Sequence, residues 1–324
     1  MPTLLSIESL EADREYVERQ LMEAGDDAWG TARHMWETRL AEIDAQMAAL
    51  SASRSNYASV ALVFEGNPVI GAGDIRLDFA TEVLDSYQRI ISLALAAKLS
   101  PGDLPERGRL PSVEKSRLFI RDLVRGSMGF ILEEIPADQH ELLPTPLKDA
   151  VEGTTQLLRT LSEASDGEFE TALQQTQPRV LAAIQKFAKV LSEAGASTKI
   201  LGDDRRLSLT MTDVGRLSSR LSEVEIVEAV EAVDGTLLGV LPESHEFELK
   251  PLGDNPITIK GSISDEIALK YTADAAFKET LLLRPIRARI RFLRTTRNGR
   301  LLSEKRILET VEAPQSSSRQ LIGT

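Results

Sequence analysis

Apolar residues change their period twice along this chain, and the changes divide it. From the N-terminus to about residue 53 the spacing is helical. Ile7, Leu10, Val17 and Leu21 recur every three to seven residues, with Arg14 interrupting, and Trp36, Leu40, Ile43, Met47 and Leu50 repeat more cleanly. Gly25-Asp26-Asp27 separates the two runs. Narrow seams with charged flanks predict an antiparallel helical hairpin or a short coiled coil. Seams of this length do not hold alone, so the helices are expected to lean on the rest of the chain or on a second copy.

The polar joint Ser51 to Asn56 precedes a switch to extended patterning. Val60 to Glu65 reads as a strand, Gly66-Asn67-Pro68 as a turn and Val69-Ile70 as its exit. Phe79, Val83, Tyr87, Ile90, Ile91 and Ala94 mark a helix face behind an Asp78 cap. Residues 100–114 carry three prolines and two glycines and read as loop. Arg117 to Val124 and Met128 to Ile135 read as a hairpin around Arg125-Gly126-Ser127. Helical spacing returns between Pro144 and Gly195, once through Leu147, Val151, Leu157, Leu158 and Leu161. It recurs through Val180, Ile184, Phe187 and Leu191, behind Pro178. A small hairpin, Thr198 to Leu201 with Arg206 to Leu209, turns on Gly202-Asp203-Asp204, and Thr212-Asp213 is read as capping a helix to Leu221.

Beyond Ser222 the second switch occurs, to short strands: Glu225 to Val233, Thr236 to Leu241, Glu246 to Lys250 and Ile257 to Ile263. Asp234-Gly235, Pro242-Glu243-Ser244 and Gly253-Asp254-Asn255-Pro256 read as the turns, and residues 264–280 as an interruption with a short helix. In Ile286 to Ile307, Arg287, Arg289 and Arg291 alternate with Ala288, Ile290 and Phe292, which puts guanidiniums on one face of a strand. Asn298-Gly299 then predicts a tight hairpin turn, because both residues tolerate positive φ. Strands at this density predict a small antiparallel barrel of SH3-like or OB-like kind. The fold class expected is α+β. Its parts are a helical arm at 1–55, a central α+β domain at 56–222, the barrel at 223–314 and a disordered tail at 315–324.

Charge sharpens the picture. Of 38 basic and 50 acidic residues, nine basic and one acidic fall between Arg284 and Arg306, leaving 29 and 49 for the rest of the chain. The hairpin is thus a cationic ribbon on an anionic body. Its arginines Arg287, Arg289, Arg291, Arg294, Arg297 and Arg300 are the candidate partner-binding set. Arginine gives bidentate contacts to carboxylate or phosphate, and it also discourages pairing at exposed edges. An acidic protein surface and nucleic-acid phosphates are therefore the two expected partners, while the net charge of −12 argues against nucleic-acid binding by the whole surface.

Other candidates carry less chemistry. Asp74, Asp78 and Glu82 stand four apart and would share a face if their helix began at Asp74, which would suit a divalent cation; otherwise they complement a helix N-terminus. Gly71-Ala72-Gly73 lacks the third glycine and the βαβ setting of a dinucleotide site. Gly126-Ser127 reads as a turn. Glu133 and Glu134 must point to opposite faces, one solvated and one paired. His34, His140 and His245 lie in three separate segments. Absence of cysteine suits a reducing compartment, no apolar run reaches the roughly 18 residues of a membrane span, and the acidic N-terminus lacks a signal-peptide core. The expectation is a cytoplasmic, non-enzymatic interaction or scaffold protein, with no membrane association and no cofactor. Its N-terminal helices would self-associate into a homo-oligomer or dock, and its hairpin would meet an acidic partner. The alternatives are a nucleic-acid-binding accessory subunit using the same hairpin and a metal-dependent hydrolase using Asp74, Asp78 and Glu82.

Overall fold

The computed structural model describes residues 3–23, 31–52, 55–71, 73–100, 113–124, 128–135, 143–254 and 256–312. The Gly25-Asp26-Asp27 break, Ala72, most of the 100–114 loop, the Arg125-Gly126-Ser127 turn, His140, Asn255 and the 315–324 tail lie outside them. The fold is mixed α+β. It divides into two compact units: Met1–Ser92, Glu114–Glu163 and Lys186–Leu217 form one, and Leu93–Val113, Ala164–Gln185 and Ser218–Thr324 the other.

The first unit is built on an antiparallel sheet. Its strands are β1 (Ser59–Gly66), β4 (Phe119–Val124), β5 (Met128–Glu133), β6 (Ala196–Gly202) and β7 (Arg206–Leu209), in the order β4-β5-β1-β6-β7. Two short strands, β2 (Val69–Ile70) and β3 (Asp74–Ile75), pair separately. Central β1 is buried from Val60 to Phe64, so both faces of the sheet are covered at its centre. On one face Ala61, Val63, Ile131 and Leu201 cluster. Helices α1 (Thr3–Glu23) and α2 (Thr31–Ala52) pack on each other, and α1 reaches β1 and β6. Their seam buries Val17 and Ile43, Arg14 pairs with Asp44, and Tyr16 meets Trp36 edge-on at 6.2 Å. On the other face α3 (Leu77–Leu99) sets Phe79 against Phe64 at 5.5 Å, and α4 (Pro146–Glu163) packs along β1, β6 and β7.

Two helix starts differ from the expectation. Helix α3 begins at Leu77, so Asp78 lies inside its first turn and is not its cap, and Asp74 lies in β3 and not one turn up the same helix. Helix α7 (Met211–Ser222) is capped by Thr210, whose hydroxyl accepts from the Asp213 N–H at 3.2 Å. Asp213 reaches back to the Thr210 N–H at 3.1 Å, a capping box two residues ahead of Thr212. Between α4 and α6 (Pro178–Ala194) lies a separate helix, α5 (Asp166–Gln175).

In the second unit five strands close into a ring, β10-β12-β11-β8-β9. They are β8 (Val224–Leu241), β9 (Glu246–Pro251), β10 (Ile259–Ile263), β11 (Pro285–Arg297) and β12 (Arg300–Glu312). All neighbours run antiparallel except β10 and β12, which the chain joins through α8 (Asp265–Ala273), α9 (Ala275–Leu281) and β11. Those helices put Ile267, Ala268, Tyr271 and Leu281 into the core with Leu237, Phe247, Leu249, Ile286, Ile290 and Leu308. The alternation of β11 is the reason: Ile286, Ala288, Ile290 and Phe292 face inward and are buried.

The expected turn at Asp234-Gly235 is absent, and β8 runs through it for 18 residues. There β8 passes from pairing with β11 to pairing with β9, and Gly235 faces Ile286 on one side and Pro251 on the other. A Cβ on Gly235 would stand 2.6 Å from the Lys250 carbonyl oxygen. The Asp-Gly signal marks a close backbone approach and not a reversal. Asn298-Gly299 does form a turn, with φ of 50° and 76°. Replacing Gly235 with alanine is expected to cost about 1–3 kcal/mol through this overlap and to lower the melting temperature. An unchanged transition in thermal denaturation would contradict the tight crossing.

Candidate functional site

Strand β11 carries the arginines because its inward positions are needed for the ring's core, which leaves the alternate positions to charge. Arg287 and Arg289 are exposed and stand on the outer face with half-buried Arg291. Past Phe292 the alternation breaks: Leu293 and Thr295 are also buried, and Arg294 shares the face of Phe292, with its guanidinium 5.0 Å from the ring centroid. Bulges in the β11–β12 ladder accompany the break. The arginines therefore do not form a single row.

Most of them are already engaged by carboxylates of the same chain. Arg291 pairs with Glu309, and its Nε lies 3.1 Å from Glu228 Oε1, without the alignment of a hydrogen bond. Arg294 donates to Glu304 at 2.6 Å and to Glu231 at 3.3 Å. Arg297, with its side chain 12% exposed, meets Glu223 at 2.9 Å, Asp166 at 3.3 Å and Glu170 at 3.5 Å. Arg300 pairs with Glu170. Arg287 keeps only a long contact with Asp234, at 3.8 Å. Arg289 has Ala232 and Thr310 as its cross-strand neighbours and forms no ion pair with a described residue.

The electrostatics follow this geometry. Burial pushes the Glu304 carboxyl up, but hydrogen bonds from Arg294 and Arg306 outweigh it and hold the group below its ordinary value. Burial works against the Arg297 charge, and its bonds to Glu223 and Asp166 more than offset that. Phe169 of α5 sits beneath two guanidiniums, Arg220 at 4.0 Å and Arg297 at 5.1 Å. Asn298 adds a bond from its backbone N–H to the Glu223 carbonyl at 3.1 Å. The hairpin tip is thereby locked onto α5 and the entry to β8.

The acidic candidates separate. Asp78 accepts from Arg76 at 3.1 Å and from the Phe79 N–H at 2.8 Å, and the Arg76 hydrogen bond, ahead of the backbone bond, lowers its pKa. Among the described residues no group of three or more His, Asp or Glu could hold a metal ion, so Asp74, Asp78 and Glu82 do not converge. Glu133 stays partly exposed near Arg121, while Glu134 accepts from the Thr145 hydroxyl at 2.6 Å and the Ala58 N–H at 2.8 Å. No helix among the described residues is long and apolar enough to cross a membrane.

Sequence reasoning missed a buried polar cluster in the first unit. Lys148 and Asp203 pair at 2.9 Å with side chains 8% and 9% exposed, and the Lys148 ammonium also donates to the Ser55 carbonyl at 2.6 Å. Glu152, one turn further along α4, accepts from the Asp204 N–H at 3.2 Å through Oε1, whereas its buried Oε2 has no hydrogen-bond partner. Burial, ahead of every other influence, raises the Glu152 pKa. Its readable signal was the i, i+4 spacing of Lys148 and Glu152 on an apolar-faced helix. Comparison with known protein families, curated protein sequences and solved structures finds no match for this chain.

Two outcomes are expected from these sites. Arg297→Ala strands three carboxylates and should cost about 2 kcal/mol, discounted for the exposure of Asp166, whereas Arg289→Ala should fall within about 0.5 kcal/mol of the parent in denaturant unfolding. Glu152 is favoured protonated in the folded state, so its contribution weakens as pH rises from its ordinary value of 4.5 through the raised one. Glu152→Gln should therefore raise the melting temperature near pH 8, with the gain shrinking toward pH 4. A gain independent of pH would assign the effect to packing.

Proposed function

We propose that this chain is an interaction protein whose C-terminal ring, a small barrel of SH3-like or OB-like kind, takes an acidic segment of a partner protein on the outer face of β11. The observation that carries the reading is Arg289, exposed and without an ion pair to any described residue, beside a loosely engaged Arg287. A cation already held between carboxylates gains little from a further anion, and one left in water can exchange hydration for a charge-assisted bond. The recognition set is thus Arg287 and Arg289, while Arg291, Arg294, Arg297 and Arg300 hold the ribbon that presents them. A phosphate-tracking strip needs the whole row, and five of its six members have carboxylate partners, Arg287 only at 3.8 Å, so an acidic polypeptide fits better than nucleic acid.

An immobilised polyglutamate peptide at about 50 mM salt should retain the intact protein and release it as salt rises. Arg287→Glu with Arg289→Glu should abolish retention without altering the fold. Equal retention of the double variant, or none by the parent, would remove the proposal. Stronger retention on a short nucleic-acid duplex at the same salt would favour the alternative partner.

A further inference from the structure

The first unit's sheet ends in two unlike edges. Strand β7 is four residues long, buries Leu207 and Leu209 and packs against α4. Strand β4 is six residues long, and Phe119 to Leu123 are all exposed, with Phe119 46%, Ile120 58% and Leu123 49% accessible. Among the described residues no strand pairs with its outer side. An apolar edge of this kind invites an added strand.

The sequence of β4, Phe119-Ile120-Arg121-Asp122-Leu123-Val124, says which strand. Read against itself in reverse it places Phe119 opposite Val124, Ile120 opposite Leu123 and Arg121 opposite Asp122. Each charge then meets its opposite, and each apolar position meets another. Sliding by one residue either way sets Arg121 against Arg121 or Asp122 against Asp122, which is unfavourable. Sliding by two sets charges against apolar side chains.

Symmetry supplies an independent check. When two copies pair edge to edge about a two-fold axis, opposed residues must lie on the same face of their own strand. In a regular strand residues three apart lie on opposite faces, which would forbid Ile120 opposite Leu123. Strand β4 is not regular: its register against β5 slips between Ile120 and Asp122, leaving Arg121 as an extra residue. Ile120 therefore pairs with Leu132 and Leu123 with Phe130, positions of one parity on β5 and so of one face. Phe119 and Asp122 pair with Glu133 and Ile131, on the other face. The bulge makes the charge-matched register the one that two-fold symmetry allows.

We infer that two copies of this chain join through their β4 strands, antiparallel and centred between Arg121 and Asp122, into one continuous sheet. In the single chain the Asp122 carboxylate covers the Leu123 N–H at 2.8 Å, and Arg121 lies 3.8 Å from Glu133. On pairing both turn to the partner's opposite charge, and the edge amides take partner carbonyls. None of these residues belongs to the Arg287 and Arg289 set or to the α1–α2 seam, and the inference stands apart from the acidic-partner proposal.

Sedimentation or light scattering of the full chain should give two chains per particle. Asp122→Arg should give one, by setting four arginines together at the axis, and Arg121→Asp combined with Asp122→Arg should restore two. Ile120→Lys, at an exposed position, should also give one while keeping the thermal transition. A monomeric parent, a dimer that survives Asp122→Arg and Ile120→Lys, or a failure of the reversed pair to restore it would each overturn the inference.

Discussion

A guanidinium withdrawn from water must meet carboxylates or the structure around it does not hold, and the second unit depends on this at Arg297. Three carboxylates converge on it, from α5 and from Glu223 just ahead of β8. Beyond the ring, β8, β11 and β12 continue as a three-stranded ribbon. There the inward stripe of Ile286 to Phe292 has run out, and cross-strand ion pairs take over as the cohesive element. Arg294 ties the three strands together there through Glu231 and Glu304, and Arg291, beside the end of the stripe, does the same through Glu228 and Glu309. The segregation of charge along the sequence is thus largely undone in space.

The two sheets treat their edges differently. Within the ring each strand has a neighbour on both sides, and among the described residues the second unit's free margins are confined to the ribbon that β8 and β12 form with β11 beyond it. In the first unit the sheet stays open, one edge short and packed, the other longer and apolar with an opposed pair of charges at its middle. Charges on an edge strand ordinarily repel an added strand. An opposed pair at the centre of a reversal repels most strands and accepts its own copy.

Local patterning made most elements legible. Alternation identifies β11, Asn298-Gly299 its turn, helical spacing α3, α4 and α6, and the Pro178 signal the start of α6. What sequence could not supply was the partner of each charge, because partners lie far off along the chain: Arg297 and Asp166 are 131 residues apart, and Lys148 and Asp203 are 55. Asp234-Gly235 misled for a related reason. Glycine in a strand serves a turn and a close crossing equally, and only the position of Lys250 decides between them. Thr210 and Thr212 show the limit at a helix start, where two hydroxyls compete and the reciprocal bond with Asp213 selects the earlier.

The ring's closing strand is also the last element of the described chain. Strand β12 joins β11 on one side and β10 on the other, so until residues 300–312 leave the ribosome the sheet has two open margins and an uncovered interior. Strand β8 emerges first and waits for β11, whose paired positions lie roughly 50 to 70 residues later, the kind of non-local contact that slows folding. Until then Val227, Val230 and the core side of β8 have no β11 to pair with, the kind of unpaired apolar strand that is prone to aggregate before closure.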